Sequence, residues 1–151
     1  MVWKFKMKLT VREIQHGSDQ YDLEVRLRSK VLREPLGLHF SADELLREKG
    51  DVHIGAFDGD RLVGCLLLTH LDSRTLKMRQ VAVDENFQRQ GIGRLLVDAS
   101  EKKSQQLKIS QLVLHARESA VLFYLKLGYE IFAEPFVEVG IPHRKMRKFF
   151  A

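Results

Sequence analysis

Apolar and polar residues alternate along Leu9-Thr10-Val11-Arg12-Glu13-Ile14, which predicts a first strand. Asp19 or Ser18 could cap a helix after it, running to about Leu32 with Leu23, Leu27 and Val31 on one face. Ser41-Ala42-Asp43-Glu44 has the form of a capping box and predicts a short second helix. Val52–Asp58 and Arg61–Leu71 read as strands joined at Asp58-Gly59-Asp60, a hairpin signal, and Asp72-Ser73-Arg74 turns the chain into a third antiparallel partner, Thr75–Val83. A helical pattern over Gly91–Leu107 crosses to a strand at Gln111–His115. Ser119–Leu127 predicts a helix stopped by Gly128, and Tyr129–Val139 and His143–Phe149 predict two closing strands.

About seven strands and four helices in this order describe an α/β chain with a mixed, mostly antiparallel sheet. The crossover through Gly91–Leu107 implies a parallel pair. With 151 residues and no internal repeat, low-complexity stretch or linker, one domain over 1–151 is expected.

Composition narrows the class. A hydrophobic fraction of 44% and a charged fraction of 30% are ordinary for a soluble globular protein. No stretch approaches the ~18 apolar residues of a membrane span, so no membrane partner is expected. Lys4, Lys6 and Lys8 alternate with apolar residues at the N-terminus, without a signal-peptide core. The single cysteine, Cys65, excludes an internal disulfide and fits a reducing cytoplasm. Its place in the apolar run Val63–Leu68 favours packing over a catalytic thiol. A net charge of +5 would attract anions, coenzyme A or nucleic acid among them, and does not choose between the two.

The join at Val83–Gly93 carries the candidate chemistry. A predicted strand ends in Val81-Ala82-Val83, passes through Gln88-Arg89-Gln90-Gly91-Ile92-Gly93 and opens a helix at Arg94. Two glycines let the backbone approach a ligand closely, and free N–H groups at a helix start favour a phosphate. A Walker A loop would need Gly-Lys-Ser/Thr, whereas Arg94-Leu95 follows Gly93. A dinucleotide fingerprint would need a third glycine or alanine where Leu96 stands. The residues instead resemble motif A of the GNAT N-acetyltransferase superfamily, Arg/Gln-x-x-Gly-x-Gly/Ala, through Gln88, Gly91 and Gly93.

A second stretch, Ala120-Val121-Leu122-Phe123-Tyr124-Leu125-Lys126-Leu127-Gly128-Tyr129, is similar to motif B of the same superfamily, Ala-x-x-Phe/Leu-Tyr-x-Lys-x-Gly-Phe/Tyr. The element order is also that of the GNAT fold. The resemblance implies a twisted sheet whose central parallel strands splay apart to admit the pantetheine arm of acetyl-CoA. Loop residues Gln88 through Arg94 would then cradle the pyrophosphate, and the backbone around Val81, Ala82 and Val83 would hold pantetheine. Tyr124 would lie near the thioester sulfur and protonate the leaving thiolate; read alone, it is equally a half-buried helix residue with its hydroxyl in water. The sequence departs from the family pattern at three places. Arg117 stands where asparagine is common, and an arginine could still meet a phosphate or backbone group of the cofactor. Gln88 replaces the commoner arginine, and Arg89 a common glycine.

The ending Glu138-Val139-Gly140-Ile141-Pro142-His143-Arg144-Lys145-Met146 resembles a small bacterial GNAT subgroup closing with Glu-x-Gly-Ile-Pro-His-x-x-Met. Gly140 and Pro142 mark a turn. Glu138 and His143 flank it and are candidate bases for the acceptor; a plain cross-strand pair is the alternative. The six histidines show no metal-ligand spacing, so no metal is expected.

The resemblance thus implies a cytoplasmic acetyl-CoA-dependent N-acetyltransferase acting on a small-molecule or peptide amine. A homodimer is compatible with it, as in many members. Arg33 and Glu34, after the first helix, could read a charged acceptor or simply end that helix in water. Two rivals remain: a non-catalytic acyl-CoA-binding module, and a nucleic-acid-binding domain using the basic tail Arg144–Phe150. That tail alternates as a strand and carries no RNA-binding signature, so no nucleic-acid partner is expected.

Overall fold

The computed structural model describes residues 8–151, so Lys4 and Lys6 of the N-terminal alternation lie outside the described residues. Among the described residues there are seven strands: β1 (Leu9–Ile14), β2 (Val52–Asp58), β3 (Arg61–Asp72), β4 (Thr75–Val83), β5 (Gln111–Arg117), β6 (Glu130–Glu138) and β7 (Ile141–Phe149). The α-helices are α1 (Asp19–Arg28), α2 (Ala42–Arg47), α3 (Ile92–Gln106) and α4 (Val121–Lys126). The strands form one sheet in the order β1-β2-β3-β4-β5-β7-β6, with β4 and β5 parallel. The β1–β2, β5–β7 and β6–β7 pairs are antiparallel. This is the mixed, mostly antiparallel sheet expected of the GNAT fold.

Contacts divide the chain into two compact units. One comprises the described residues up to Leu67 together with Gln80–Ala99, and the other Leu68–Arg79 together with Ser100–Ala151.

In the first unit, Ser18 caps α1, its hydroxyl accepting from the Tyr21 N–H at 3.2 Å. The helix stops at Arg28 rather than near Leu32. The chain goes on through a π-helical turn, Ser29–Arg33, and a 3-10 turn, Glu34–Leu36. The buried face keeps Leu27, with Val31 packed against the core as expected, but differs at Leu23. Leu23 is 37% exposed, whereas Tyr21, Glu24, Leu27 and Arg28 are buried. The cause is electrostatic, since Glu24 and Arg28 turn inward to partners on α2's end and β2. The expected capping box of α2 is complete between Ser41 and Glu44. Ile14, Tyr21, Leu27, Phe57, Leu62, Cys65 and Ala82 form the core here, with Val25, Val31 and Leu32 against it. Each such aliphatic side chain removed from water contributes roughly 1.5–3 kcal/mol before ordering costs. Gln80 interrupts β4 with a left-handed backbone (φ 56°), a local kink within the strand.

In the second unit, β5 alternates strictly. Leu112, Leu114 and Ala116 are buried, while Gln111, Val113, His115 and Arg117 face the other side. Pairing with β4 runs from Thr75↔Gln111 to Met78↔Leu114, covering the first part of each strand. The helix expected over Ser119–Leu127 divides into a 3-10 turn, Glu118–Ala120, and α4. The β6–β7 turn is Val139-Gly140, with φ of 47° and 74°, flanked by Glu138↔Ile141. Pro142 is therefore not a turn residue; it lies in β7 opposite Val137, near the strand's start where a missing N–H is tolerated.

Candidate functional site

In the first unit, β4 runs into Asp84, a buried residue that fixes the turn into the glycine loop. Its N–H donates to the Val63 carbonyl at 2.9 Å, its Oδ1 accepts from the Asn86 N–H at 3.0 Å, and its carbonyl accepts from the Phe87 N–H at 2.8 Å. The 3-10 turn Glu85–Phe87, held this way, delivers the exposed stretch Gln88-Arg89-Gln90-Gly91. The Gln88 side chain reaches back, its Nε2 donating to the Val83 carbonyl at 3.5 Å.

Arg89 (φ 63°) and Gly91 (φ 79°) both take the left-handed conformation, and the space where a Cβ of Gly91 would point is open. The helix α3 then starts with Ile92 buried, Gly93 half-buried and Arg94 exposed. Its first N–H groups have no carbonyl four residues back and lie at the positive end of the helix dipole. An exposed, tightly turned loop feeding such an end is suited to phosphate. On β4 itself Val81 and Val83 are half-buried, and Ala82 is packed in the first core.

In the second unit, Tyr124 on α4 is buried, its ring edge-on to Phe123 at 5.0 Å and to Tyr129 at 5.7 Å. The half-buried, water-facing alternative does not hold. Burial alone pushes its phenol up to about 12, so it is fully protonated at neutral pH. Arg117 precedes the 3-10 turn Glu118–Ala120 without a side-chain capping bond and lies opposite His143 across β5–β7.

Glu138 and His143 do come together, and with a third member that sequence reasoning left aside. Nδ1 of His115 lies 3.0 Å from Glu138 Oε1, and Nε2 of His143 lies 3.7 Å from Glu138 Oε2. His143 Nδ1 is 2.7 Å from the Ile141 carbonyl and donates to it. Burial raises the Glu138 carboxyl, but the hydrogen bond and charge of His115, with His143 and Lys77, outweigh it and hold it below its usual value. Lys77 in turn is pushed down by burial. Strand periodicity carried the missing signal: His115 and Arg117 share a face of β5, opposite Lys145 and His143 of β7.

The candidate acceptor-reading residues behave differently. Arg33 stacks over Phe40 at 4.2 Å and pairs with Glu44 at 3.3 Å, which ties it to α2, whereas Glu34 is exposed. Arg28, Glu24, Glu48, His53 and Tyr21 form a buried network. Arg28 donates to both carboxylates, His53 Nδ1 lies 2.8 Å from Glu24, and the Tyr21 hydroxyl donates to Glu48 at 2.8 Å. Glu24, Glu48 and His53 bring metal-ligating atoms within 4.8 Å of one another, but the Arg28 guanidinium already answers both carboxylates. Cys65 is buried, and burial pushes its thiol well up, so it packs as a thiol in the first core.

A family model described as acetyltransferase (GNAT) domain matches residues 34–150. A relative in Bacillus subtilis (strain 168) assigned as an acetyltransferase is 33% identical over 143 residues, 93% of this chain and 96% of its own. YjcF of the same organism, an uncharacterized N-acetyltransferase, is 34% identical over 107 residues, 70% of this chain and 74% of its own. Among solved structures, a GNAT family acetyltransferase from Elizabethkingia anophelis with acetyl-CoA bound superposes with a TM-score of 0.74 at 21% identity, covering 96% of this chain and 100% of that one. The chain belongs to the GNAT family of acetyl-CoA-dependent N-acetyltransferases and has that family's fold.

Proposed function

We propose that this enzyme transfers the acetyl group of acetyl-CoA to a primary amine of a small molecule or peptide by direct attack, the chain acting as one functional domain. The amine nitrogen bonds to the thioester carbonyl carbon and the C–S bond breaks. The proton lost from nitrogen passes to a base, and the departing thiolate takes a proton from an acid. A free alkylamine has a pKa of about 10.4, so a base is needed at neutral pH.

Main-chain N–H groups of Gln88, Arg89, Gln90, Gly91, Ile92 and Gly93 hold the pyrophosphate, with Arg89, Arg94 and Arg117 supplying positive charge. The backbone of Val81, Ala82 and Val83 holds pantetheine and polarises the carbonyl. Tyr124 is the acid, and the group around Glu138 and His143 takes the amine's proton. Holding both reactants supplies much of the rate. The observation that carries this reading is the exposed, left-handed Arg89–Gly91 turn opening α3, within the stretch that the family model covers.

The C-terminal run Glu138–Met146 supports membership of the small bacterial subgroup with that ending. The lone reduced Cys65 suits the cytoplasm, and among the described residues no helix is long and apolar enough to cross a membrane. A homodimer fits this reading, as in many family members.

The test is thiol release from acetyl-CoA against a panel of amino acids, polyamines, aminoglycosides and peptide N-termini. Amine-dependent release with an N-acetylated product is expected. Tight acetyl-CoA binding with every amine left unmodified would make the protein a non-catalytic acyl-CoA-binding module instead.

A further inference from the structure

We infer that the acceptor amine gives its proton to Nε2 of His115, and that Glu138 serves as a positioning residue for that ring rather than as the base. The inference rests on the amine-acetylation reading above and names its proton acceptor.

The two histidines around Glu138 are not equivalent. A carbonyl oxygen only accepts, so the 2.7 Å contact with Ile141 places a proton on His143 Nδ1. Its other nitrogen is turned toward Glu138, and its side chain is only 5% exposed. Enclosed in this way, His143 gives an acceptor no access. His115 has both a free nitrogen and access. The 3.0 Å contact with Glu138 Oε1 places the proton of the neutral ring on Nδ1, because a carboxylate only accepts. Nε2 is then the lone-pair nitrogen, it has no hydrogen-bond partner among the described residues, and the side chain is 24% exposed. The Phe136 ring stands edge-on to the imidazole at 4.8 Å and holds its plane.

The charges around the ring keep it in the accepting form. Lys77 faces it from β4, Lys145 lies directly across on β7 beside His143, Arg117 follows two residues on along β5, and Glu138 comes from β6. Burial, then Lys77 and Lys145, hold His115 below its usual 6.5 against the opposing pull of Glu138. The ring is neutral at pH 7. Once it takes the amine's proton at Nε2, Nδ1–H stays donated to Glu138, whose charge steadies the imidazolium until solvent removes the proton. A carboxylate that orients and steadies a histidine base recurs on unrelated folds.

The test measures kcat/KM against pH for wild type, His115→Gln and Glu138→Gln. It uses whichever amine of the panel above gives the fastest thiol release, with acetyl-CoA affinity read separately by calorimetry. Wild type should lose activity as pH falls through the His115 ionisation. His115→Gln should lose about 100-fold in turnover at pH 7, lose that acid limb, and bind acetyl-CoA as before. Glu138→Gln should keep an acid limb but move it to lower pH, since the charge favouring the imidazolium is gone. An unchanged acid limb in His115→Gln overturns the inference, and so does a limb abolished by Glu138→Gln alone, which would make the carboxylate the base. If His115→Gln fails to fold, the direction of the Glu138→Gln shift still decides. If wild type binds acetyl-CoA but acetylates no amine, the reading beneath falls and this inference with it.

Discussion

A Cβ added to Gly64 on β3 would sit 2.8 Å from Cγ2 of Ile92, the first residue of α3, and 3.0 Å from Cδ1 of Leu96 one turn on. The start of α3, and with it the turn that presents Gln88–Gly91, therefore packs as closely on the strand as a residue without a side chain allows. Gly64→Ala should cost about 1–3 kcal/mol by overpacking in a urea melt. Gly50→Ala, where a Cβ would meet nothing within 4 Å, should stay within about 0.5 kcal/mol. Equal effects of the two would mean that the helix start is not held by this contact.

The buried network in the first unit makes stability depend on pH from both sides. Burial raises Glu48, but the hydrogen bond and charge of Arg28 outweigh it, so its folded value lies below 4.5. Its contribution is present above the unfolded value and is lost as pH falls through the lowered one. Burial lowers His53, but the hydrogen bond and charge of Glu24 outweigh it, so its folded value lies above 6.5. That contribution is complete below 6.5 and is lost as pH rises through the raised value. Tm should therefore peak between the two and decline on either side. Glu24→Gln should flatten the alkaline decline and cost about 3–5 kcal/mol, because Arg28 is left buried with one partner removed. A Tm flat from pH 4 to 9 would contradict the network's charge state.

Val139 occupies the first position of a two-residue hairpin turn at φ 47°, where a β-branched residue is strained. Asparagine tolerates that conformation. Val139→Asn should stabilise the protein by about 1 kcal/mol, read as a rise in Tm of about 2–4 °C. An unchanged or lower Tm would show that Val139 makes compensating contacts.

Tyr124→Phe removes a single hydroxyl from a buried ring packed between Phe123 and Tyr129. If that hydroxyl protonates the leaving thiolate, kcat should fall by about 100-fold while acetyl-CoA affinity changes less than about twofold. Intact turnover would remove Tyr124 from the acid's role.

Much of the fold was legible because local signals agreed with tertiary ones. The alternation of Leu9–Ile14, the Asp58-Gly59-Asp60 turn, the Thr75–Val83 strand and the Ser41–Glu44 box all stand where the pattern put them. What was not legible depends on partners remote in sequence. Nothing near Glu24 and Arg28 shows that Glu48 and His53 will meet them, so the apolar Leu23 was expected on a face that buries Glu24 and Arg28 instead. The candidate site divides in the same manner. The glycine loop and Tyr124 sit in contiguous motifs. His115 becomes notable only once β6 and β7 fold back and set Glu138 against it.

The central claim is that the Gln88–Gly93 loop holds the pyrophosphate of acetyl-CoA, and calorimetric titration of wild type and Gly91→Val tests it most directly. Wild type should bind acetyl-CoA saturably at one site per chain and free coenzyme A as well, with no heat from an oligonucleotide. Gly91→Val should weaken binding about tenfold or more, because a side chain at φ 79° costs roughly 1–2 kcal/mol. No binding of acetyl-CoA by wild type, or unchanged affinity in Gly91→Val, would contradict the account.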